Sequence, residues 1–357
     1  MTTSPSSVQT TVRSNAGQRI VATQAGGPEV LELQEFALPA PGPGQLLVKV
    51  AAAGVNFIDT YLRSGVYRMD YPGPLGFEGS GTIIATGDLS GSNSPAFAVG
   101  DTVAWASSAG SYATHVLVDA ATALAVPGDV DLTQAAAVPL QGLTAHYLAN
   151  SSYSIKSGDW VLIHAGAGGV GLLLTQMAVN LGATVITTVS TAEKEALSRA
   201  AGAHHVIRYD QLADITTELP ALVQELTGDR LQDGRGPGVD AVYDGVGKTT
   251  FDASLASLRK RGFLVLFGGA SGQVPPFDLQ RLNAAGSISV VRPTLGHYTL
   301  TRSELVSRAN DVFGSIEHGS LSVRIGATYP LEQAGAAQAA LESRATTGKV
   351  ILIPGTN

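Results

Sequence analysis

The amino-acid sequence predicts an α/β fold in two units: a doubly wound parallel sheet, and a smaller strand-rich unit to which the chain returns at its end. Three observations carry this. A length of 357 residues suits about two domains. The chain up to Val130 is made of short apolar runs punctuated by Gly and Pro. From near Leu132 the apolar runs alternate instead with helical patterns, which is the grammar of βαβ units. Forty-two glycines without a Gly-X-Y period indicate many tight connections and exclude a collagen-like fibre.

Residues 1–15 are mostly Ser, Thr, Pro and Gln and lack the apolar core of a secretory signal. They read as a disordered tail, or as a transit peptide, since no acidic residue precedes Glu29. Strands are expected at Arg19–Thr23 and Glu29–Glu35 around Gly26-Gly27-Pro28, then at Leu46–Ala53, Gly79–Ala85 and Thr102–Ala106. Asn56–Ser64 reads as a short helix, and Ser90–Pro95 as a polar surface turn. Helical patterns follow at Thr133–Val138 and Leu143–Ala149. The parallel strands are expected at Trp160–His164, Thr184–Val189, His205–Arg208, Val239–Tyr243 and Phe263–Phe267. Helices are expected at Val170–Leu181, Ala192–Ala200, Ile215–Thr227 and Thr249–Leu258. Thr227–Gly238 reads as a surface loop, Arg302–His318 and Ala334–Arg344 as helices, and Val350–Ile353 as a closing strand. The resulting division is a tail (1–15), a catalytic unit (16–140 and 295–357) and a dinucleotide-binding unit (141–294).

Composition removes several classes of function. With no cysteine there is no thiol nucleophile, disulfide framework, Fe–S cluster or thiolate zinc site. A net charge of −7 argues against a protein built to grip nucleic acid, RNA included. Trp160 to Ala192 carries no Asp, Glu, Lys or Arg, but five glycines interrupt it. A buried strand, loop, helix and second strand explain that run better than a membrane span, because a parallel sheet is covered on both faces.

Gly166-Ala167-Gly168-Gly169-Val170-Gly171 fits G-x-G-x-x-G between an apolar strand and an apolar helix. That context places backbone N–H groups and a helix N-terminus where a pyrophosphate can sit. Gly168 would allow close approach of the diphosphate and Gly171 close helix–strand packing. The next strand ends at Ser190, where an NAD-selective site carries a carboxylate. Ser190 can hydrogen-bond a 2′-phosphate and Lys194 can neutralise it, so NADPH is expected over NADH. Gly247-Lys248-Thr249 is not a phosphate loop, because Val242 stands where that motif needs glycine. His204-His205 opens a strand, where the two rings face opposite ways.

The strand-rich start, inserted dinucleotide fold and returning C-terminus resemble the medium-chain dehydrogenases/reductases, and within them the zinc-independent NADPH:quinone oxidoreductase (zeta-crystallin-like) family. The carrying segments are Asn56–Tyr67, Gln141–Ala145, the glycine fingerprint, Tyr243–Gly247, Val291–Leu295 and Leu341–Gly348. The resemblance implies a Rossmann domain and a GroES-like catalytic domain. In Gly76-Phe77-Glu78-Gly79, Phe77 stands where the zinc alcohol dehydrogenases have His, so a metal-free reaction is expected. Asn56, Tyr61 and Tyr67 would line the nicotinamide and acceptor pocket. Thr144, Gly166, Gly168, Gly169, Val170 and Gly171 would hold the diphosphate and nicotinamide side. Ser190, Lys194 and Tyr209 would surround the adenosine phosphate; Gly245, Phe267, Gly268, Arg292 and Arg344 would complete the groove. Gly245 stands where relatives often have Ser, and Gln141 where some have Lys.

The implied function is NADPH-dependent reduction of quinones, by hydride or single-electron transfer. The alternatives are an enoyl-thioester or enone (2-alkenal) reductase with Tyr67 as proton donor, and an NADPH-regulated RNA-binding or crystallin-like structural protein. A cytoplasmic homodimer pairing through the apolar, β-prone segment Ser287–Val291 is also implied.

Overall fold

A computed structural model describes residues 16–91, 96–228 and 236–355. The tail read at 1–15 lies outside them, as do parts of the loops read at Ser90–Pro95 and Thr227–Gly238.

The first unit is antiparallel. Strands β1 (Ala16–Ala22) and β2 (Leu31–Ala37) form a hairpin in register Ala22↔Leu31 to Ala16↔Ala37. Strand β3 (Gln45–Val55) buries nearly all of its length, and the helix α1 (Phe57–Arg63) follows it directly. Asp59 begins that helix by accepting the Asn56 N–H at 2.9 Å, a capping contact. After β4 (Gly73–Pro74) come β5 (Glu78–Thr86), β6 (Thr102–Trp105), β7 (His115–Asp119) and β8 (Leu124–Ala125). Strand β3 pairs with both β5 and β7, and Ile20, Leu46, Val48, Trp105 and Tyr112 are buried in the resulting core.

The chain then changes character. Asp131 caps α2 (Leu132–Ala135) by accepting the N–H groups of Thr133 and Gln134. Helix α3 (Pro139–Tyr147) starts with proline in its first turn, where no N–H is missed. That is why α3 begins four residues before the helix read at Leu143. Strand and helix then alternate: β9 (Trp160–Ile163), α4 (Gly169–Asn180), β10 (Thr184–Val189), α5 (Ala192–Ala200), β11 (His205–Arg208), α6 (Ile215–Thr227), β12 (Val239–Asp244). They continue with α7 (Phe251–Ala256), β13 (Leu258–Leu266), α8 (Gln280–Ala284) and β14 (Ser289–Val291). All six strands are parallel, in the order β11-β10-β9-β12-β13-β14. This is the dinucleotide-binding order 3-2-1-4-5-6. The uncharged run from Trp160 is thus a doubly covered strand pair with its crossover helix, and among the described residues no helix is long and apolar enough to cross a membrane.

Helix α9 (Arg302–Glu317) packs on α3, where Ala309, Val312 and Phe313 share a core with Tyr147, Val161 and Ile163. A Cβ on Gly142 would stand 2.9 Å from Val312, so the two helices cross at glycine. The chain then returns to the first sheet through β15 (Ile325–Pro330), α10 (Ala334–Glu342) and β16 (Lys349–Ile353). That sheet runs β15-β16-β3-β5-β6-β8, so the C-terminal strand lies against β3 rather than at an edge.

Candidate active site

Strands β9 and β12 are adjacent but feed crossovers that run to opposite sides, so a crevice opens beyond their C-terminal ends. The loop after β9 turns through Ala165 at φ 54°, a left-handed conformation that alanine adopts only under strain. Gly168 then caps α4, and among the described residues no side chain accepts the N–H groups of its first turn. Cβ atoms would not fit here: one on Gly171 would meet the Ala165 carbonyl at 2.2 Å, and one on Gly166 would meet Thr187 at 2.6 Å. Backbone, dipole and missing side chains together fit a pyrophosphate. Gly166, Gly168, Gly169, Val170 and Gly171 are therefore brought together as the sequence predicts.

At the adenosine end, β10 and β11 pair Val189 with Arg208, so Ser190 and Tyr209 leave the sheet side by side. The Lys194 ammonium lies 3.4 Å from the Ser190 hydroxyl and donates at 2.6 Å to the carbonyl of Arg344, which is itself left-handed at φ 59°. Ser190, Lys194, Tyr209 and Arg344 thus meet from both units.

On the opposite flank, Gln141 lies across the fingerprint: a Cβ on Gly169 would stand 2.0 Å from its amide oxygen. Thr144 is one helical turn further along the same face of α3. Gly245 has Phe267 where a side chain would project, at 2.8 Å from a Cβ, and a Cβ on Gly268 would strike the Gly245 carbonyl at 2.3 Å. The absence of a serine at 245 therefore matches a ring that fills its place. The charge of Arg292 acts on both Tyr61 and Tyr147, which sets it beside the crevice.

The acceptor side is formed by α1 and the loop after β13. A cavity of about 300 Å³ lies between Phe57, Tyr61 and Val66 on one side and Gly269, Ala270 and Gln273 on the other. Burial raises the Tyr61 hydroxyl above the ordinary phenol range, opposed by a hydrogen bond with the Gly269 backbone. Tyr61 therefore stays a neutral donor at physiological pH. Tyr67 does not form that wall; it packs edge-on behind Tyr61, ring centroids 5.4 Å apart. Asn56, the residue before α1, does not line that cavity either: it is 5% exposed, with its amide committed inward to Glu78 at 2.8 Å and to Lys349 at 2.7 Å.

Burial pushes the neighbouring Asp59 carboxyl up to about 7, against hydrogen bonds from Tyr112 and the Asn56 N–H and the charge of Lys349. The folded chain therefore holds a proton that the unfolded chain releases near pH 4, and the stability this confers is lost as pH rises from about 4 to 7. His164 acts in the opposite sense, since burial lowers its pKa and unfolding takes up a proton in acid. The contribution of Asp59 is thus read as a difference. The melting temperature of Asp59→Asn relative to the parent is expected to rise by roughly 3–6 °C between pH 5 and pH 8. A difference that is flat with pH in calorimetry would show that Asp59 is ionised throughout.

Two buried polar groups near the crevice go unread in the sequence. His164 bridges Thr188 at 2.9 Å and Ser254 at 3.0 Å; Ser254 in turn donates to Asp244, which accepts the N–H groups of Val246 and Gly247. This network ties together the three loops that border the crevice. The second group is Glu78 with Lys349, each a single charge opening an otherwise uncharged strand. That pattern was a usable signal, because a lone charge beside a buried run calls for a partner.

Comparison with known proteins agrees with this architecture. Residues 42–128 match the alcohol dehydrogenase GroES-like domain and residues 169–310 the zinc-binding dehydrogenase family. The quinone oxidoreductase of Pseudomonas aeruginosa is 42% identical over 340 residues, covering 94% of this chain and 99% of that protein. The 2-haloacrylate reductase of a Burkholderia species is 37% identical, covering 94% and 98%. A mycobacterial protein solved in complex with NADPH superposes with a TM-score of 0.89 at 50% identity, covering 95% of this chain and all of that one.

Proposed function

The chain belongs to the quinone oxidoreductase family of medium-chain dehydrogenases/reductases, and from that premise we propose how its crevice works. The protein is an enzyme that reduces quinones with NADPH. The observation that carries the site assignment is the cavity itself, walled by Tyr61 of one unit and Gly269 of the other at the open end of the parallel sheet.

When bound, NADPH supplies a hydride at its nicotinamide ring. The first turn of α4 holds the pyrophosphate, with Gly166, Gly168, Gly169, Val170 and Gly171 giving the backbone approach. Ser190, Lys194, Tyr209 and Arg344 hold the phosphorylated ribose. Thr144, Gly245, Phe267, Gly268 and Arg292 border the nicotinamide end. Phe57, Tyr61 and Val66 give a flat electron-poor carbonyl compound an apolar seat and exclude water from it. Tyr61 donates a hydrogen bond to the acceptor oxygen, Tyr67 fixes the Tyr61 ring by edge contact, and Asn56 holds the start of α1. The reading needs no metal: the chain has no cysteine, and Phe77 offers no ligand.

We further propose the division of labour along the chain. Residues 16–140 and the C-terminal return carry the acceptor side, and 141–294 the cofactor side, with α9 seated on the cofactor core. The edge strand β14, with Val290 38% exposed, is the surface through which two copies would pair in a cytoplasmic homodimer.

The test follows absorbance at 340 nm with NADPH or NADH against panels of ortho-quinones and enones. Quinone-dependent oxidation of NADPH is the expected result. Turnover with enones alone would move the assignment to alkene reduction. Tyr61→Phe is expected to lower quinone turnover by about tenfold, with Tyr67→Phe weaker. A Tyr67→Phe enzyme that loses enone turnover and keeps quinone turnover would make Tyr67 a proton donor.

A further inference from the structure

At the start of α1, next to the cavity-lining Phe57, lies a cluster of charge that the hydride-transfer reading does not use. Glu78 is 0% and Lys349 1% exposed, and their side chains are in direct contact. Between them they hold the Asn56 amide from both ends: Lys349 donates to its oxygen at 2.7 Å, and its NH₂ donates to Glu78 at 2.8 Å. The fold makes room for this pair at Gly54, where a Cβ would stand 2.2 Å from the Glu78 carboxylate and 2.8 Å from the Lys349 side chain.

The second Glu78 oxygen accepts the N–H of Leu140 at 2.7 Å. Leu140 lies in the first turn of α3, next to Gln141, whose amide crosses the fingerprint at Gly169. On the other side, the residue before Lys349 is Gly348, whose N–H donates to the Ala167 carbonyl at 3.0 Å and which forms a parallel bridge with Gly168. One ion pair therefore touches Asn56 at the start of the cavity-lining helix α1, the first turn of α3, and, through one peptide, the glycine fingerprint loop.

We propose that Glu78 and Lys349 are positioning residues for hydride transfer: the buried pair locks Asn56, the start of α3 and the fingerprint loop into one rigid frame across the two units. The proposal rests on the quinone-reductase reading above. A pair buried only for stability would be a poor choice, because apolar side chains of similar volume often stabilise as well or better. Its value lies in fixing polar groups in register, and sub-ångström placement controls the rate of the chemical step.

The test uses the full chain and the variants Glu78→Gln, Asn56→Ala, their combination, and Glu78→Gln with Lys349→Met. It measures NADPH binding by fluorescence, single-turnover oxidation by an ortho-quinone, and the primary isotope effect with NADPH deuterated at the transferred position. In Glu78→Gln the NADPH affinity is expected to stay within about threefold while the single-turnover rate falls about ten- to hundredfold. The isotope effect on steady-state turnover should rise as the chemical step becomes limiting. Combining Glu78→Gln with Asn56→Ala should give no further loss, since both act through one frame.

A folded Glu78→Gln enzyme at the parental rate, or losses that multiply in the combination, would overturn the proposal. If Glu78→Gln does not fold, the Glu78→Gln/Lys349→Met protein leaves no charge unpaired and serves in its place, with the same slow rate expected and a parental rate again refuting the idea. A parent protein that oxidises no NADPH with any quinone would instead count against the functional reading, so the two failures are distinguishable.

Discussion

Replacing Lys194 by alanine should lower kcat/KM for NADPH by about a hundredfold and leave NADH use nearly unchanged, because the charge-assisted contact expected to the 2′-phosphate is lost for NADPH alone, whereas the contact with the Arg344 carbonyl is lost for both nucleotides. The position that would carry a carboxylate in an NAD-selective site is Ser190, and Lys194 stands 3.4 Å from its hydroxyl. The ammonium is already held in place by the Arg344 carbonyl at 2.6 Å, so on the proposed reading it would meet the 2′-phosphate with little further loss of freedom. Steady-state kinetics with both nucleotides would decide it. Equal losses for the two would mean that Lys194 supports the fold of the crevice rather than reading the phosphate.

Arg259→Met should lower stability and have only a small effect on catalysis. Arg259 donates to Asp240 at 2.6 Å, and the other oxygen of Asp240 accepts the Trp160 N–H at 2.7 Å. Both residues are buried, with side chains 8% and 2% exposed. Removing the arginine deletes a buried charge-assisted hydrogen bond to Asp240, which costs about 1.5–3 kcal/mol, or roughly 2–4 °C in melting temperature for a chain of this size. These residues lie at the opposite end of the sheet from the crevice, since Trp160 and Val239 begin their strands while the cofactor loops follow strand ends. Turnover well below the melting point should therefore match that of the parent. A variant that melts normally but turns over slowly would reverse this assignment.

Much of the fold could be read from periodicity. Strand β10 and helices α5 and α6 have the boundaries their patterns predict, because each is a complete apolar or amphipathic run closed by a recognisable cap. The elements that went unread are short or lean on partners far away in the chain. Strand β7 is five residues that take their place only by pairing with β3, and β15 is exposed at every second residue. The glycine loop and the Ser190–Lys194 pair were legible because they are local. The Asn56 environment was not, since Glu78 and Lys349 are 271 residues apart in the sequence and only the returning strand brings them together. The sequence marked Asn56 as a pocket residue; it did not reveal that the amide faces away from the pocket, into charge.

That returning strand has a consequence for how the enzyme comes into being. Gly348 supplies a contact to the fingerprint loop and Lys349 one to Asn56, and the two lie just before and at the start of β16. The six-stranded sheet needs nothing beyond Val291 for its own pairing. A growing chain can therefore complete its nucleotide-binding sheet while the reactive cleft is still open. Translation must pass residue 353 before the frame closes, and a product cut short before Gly348 would be a nucleotide-binding fold without a working acceptor site.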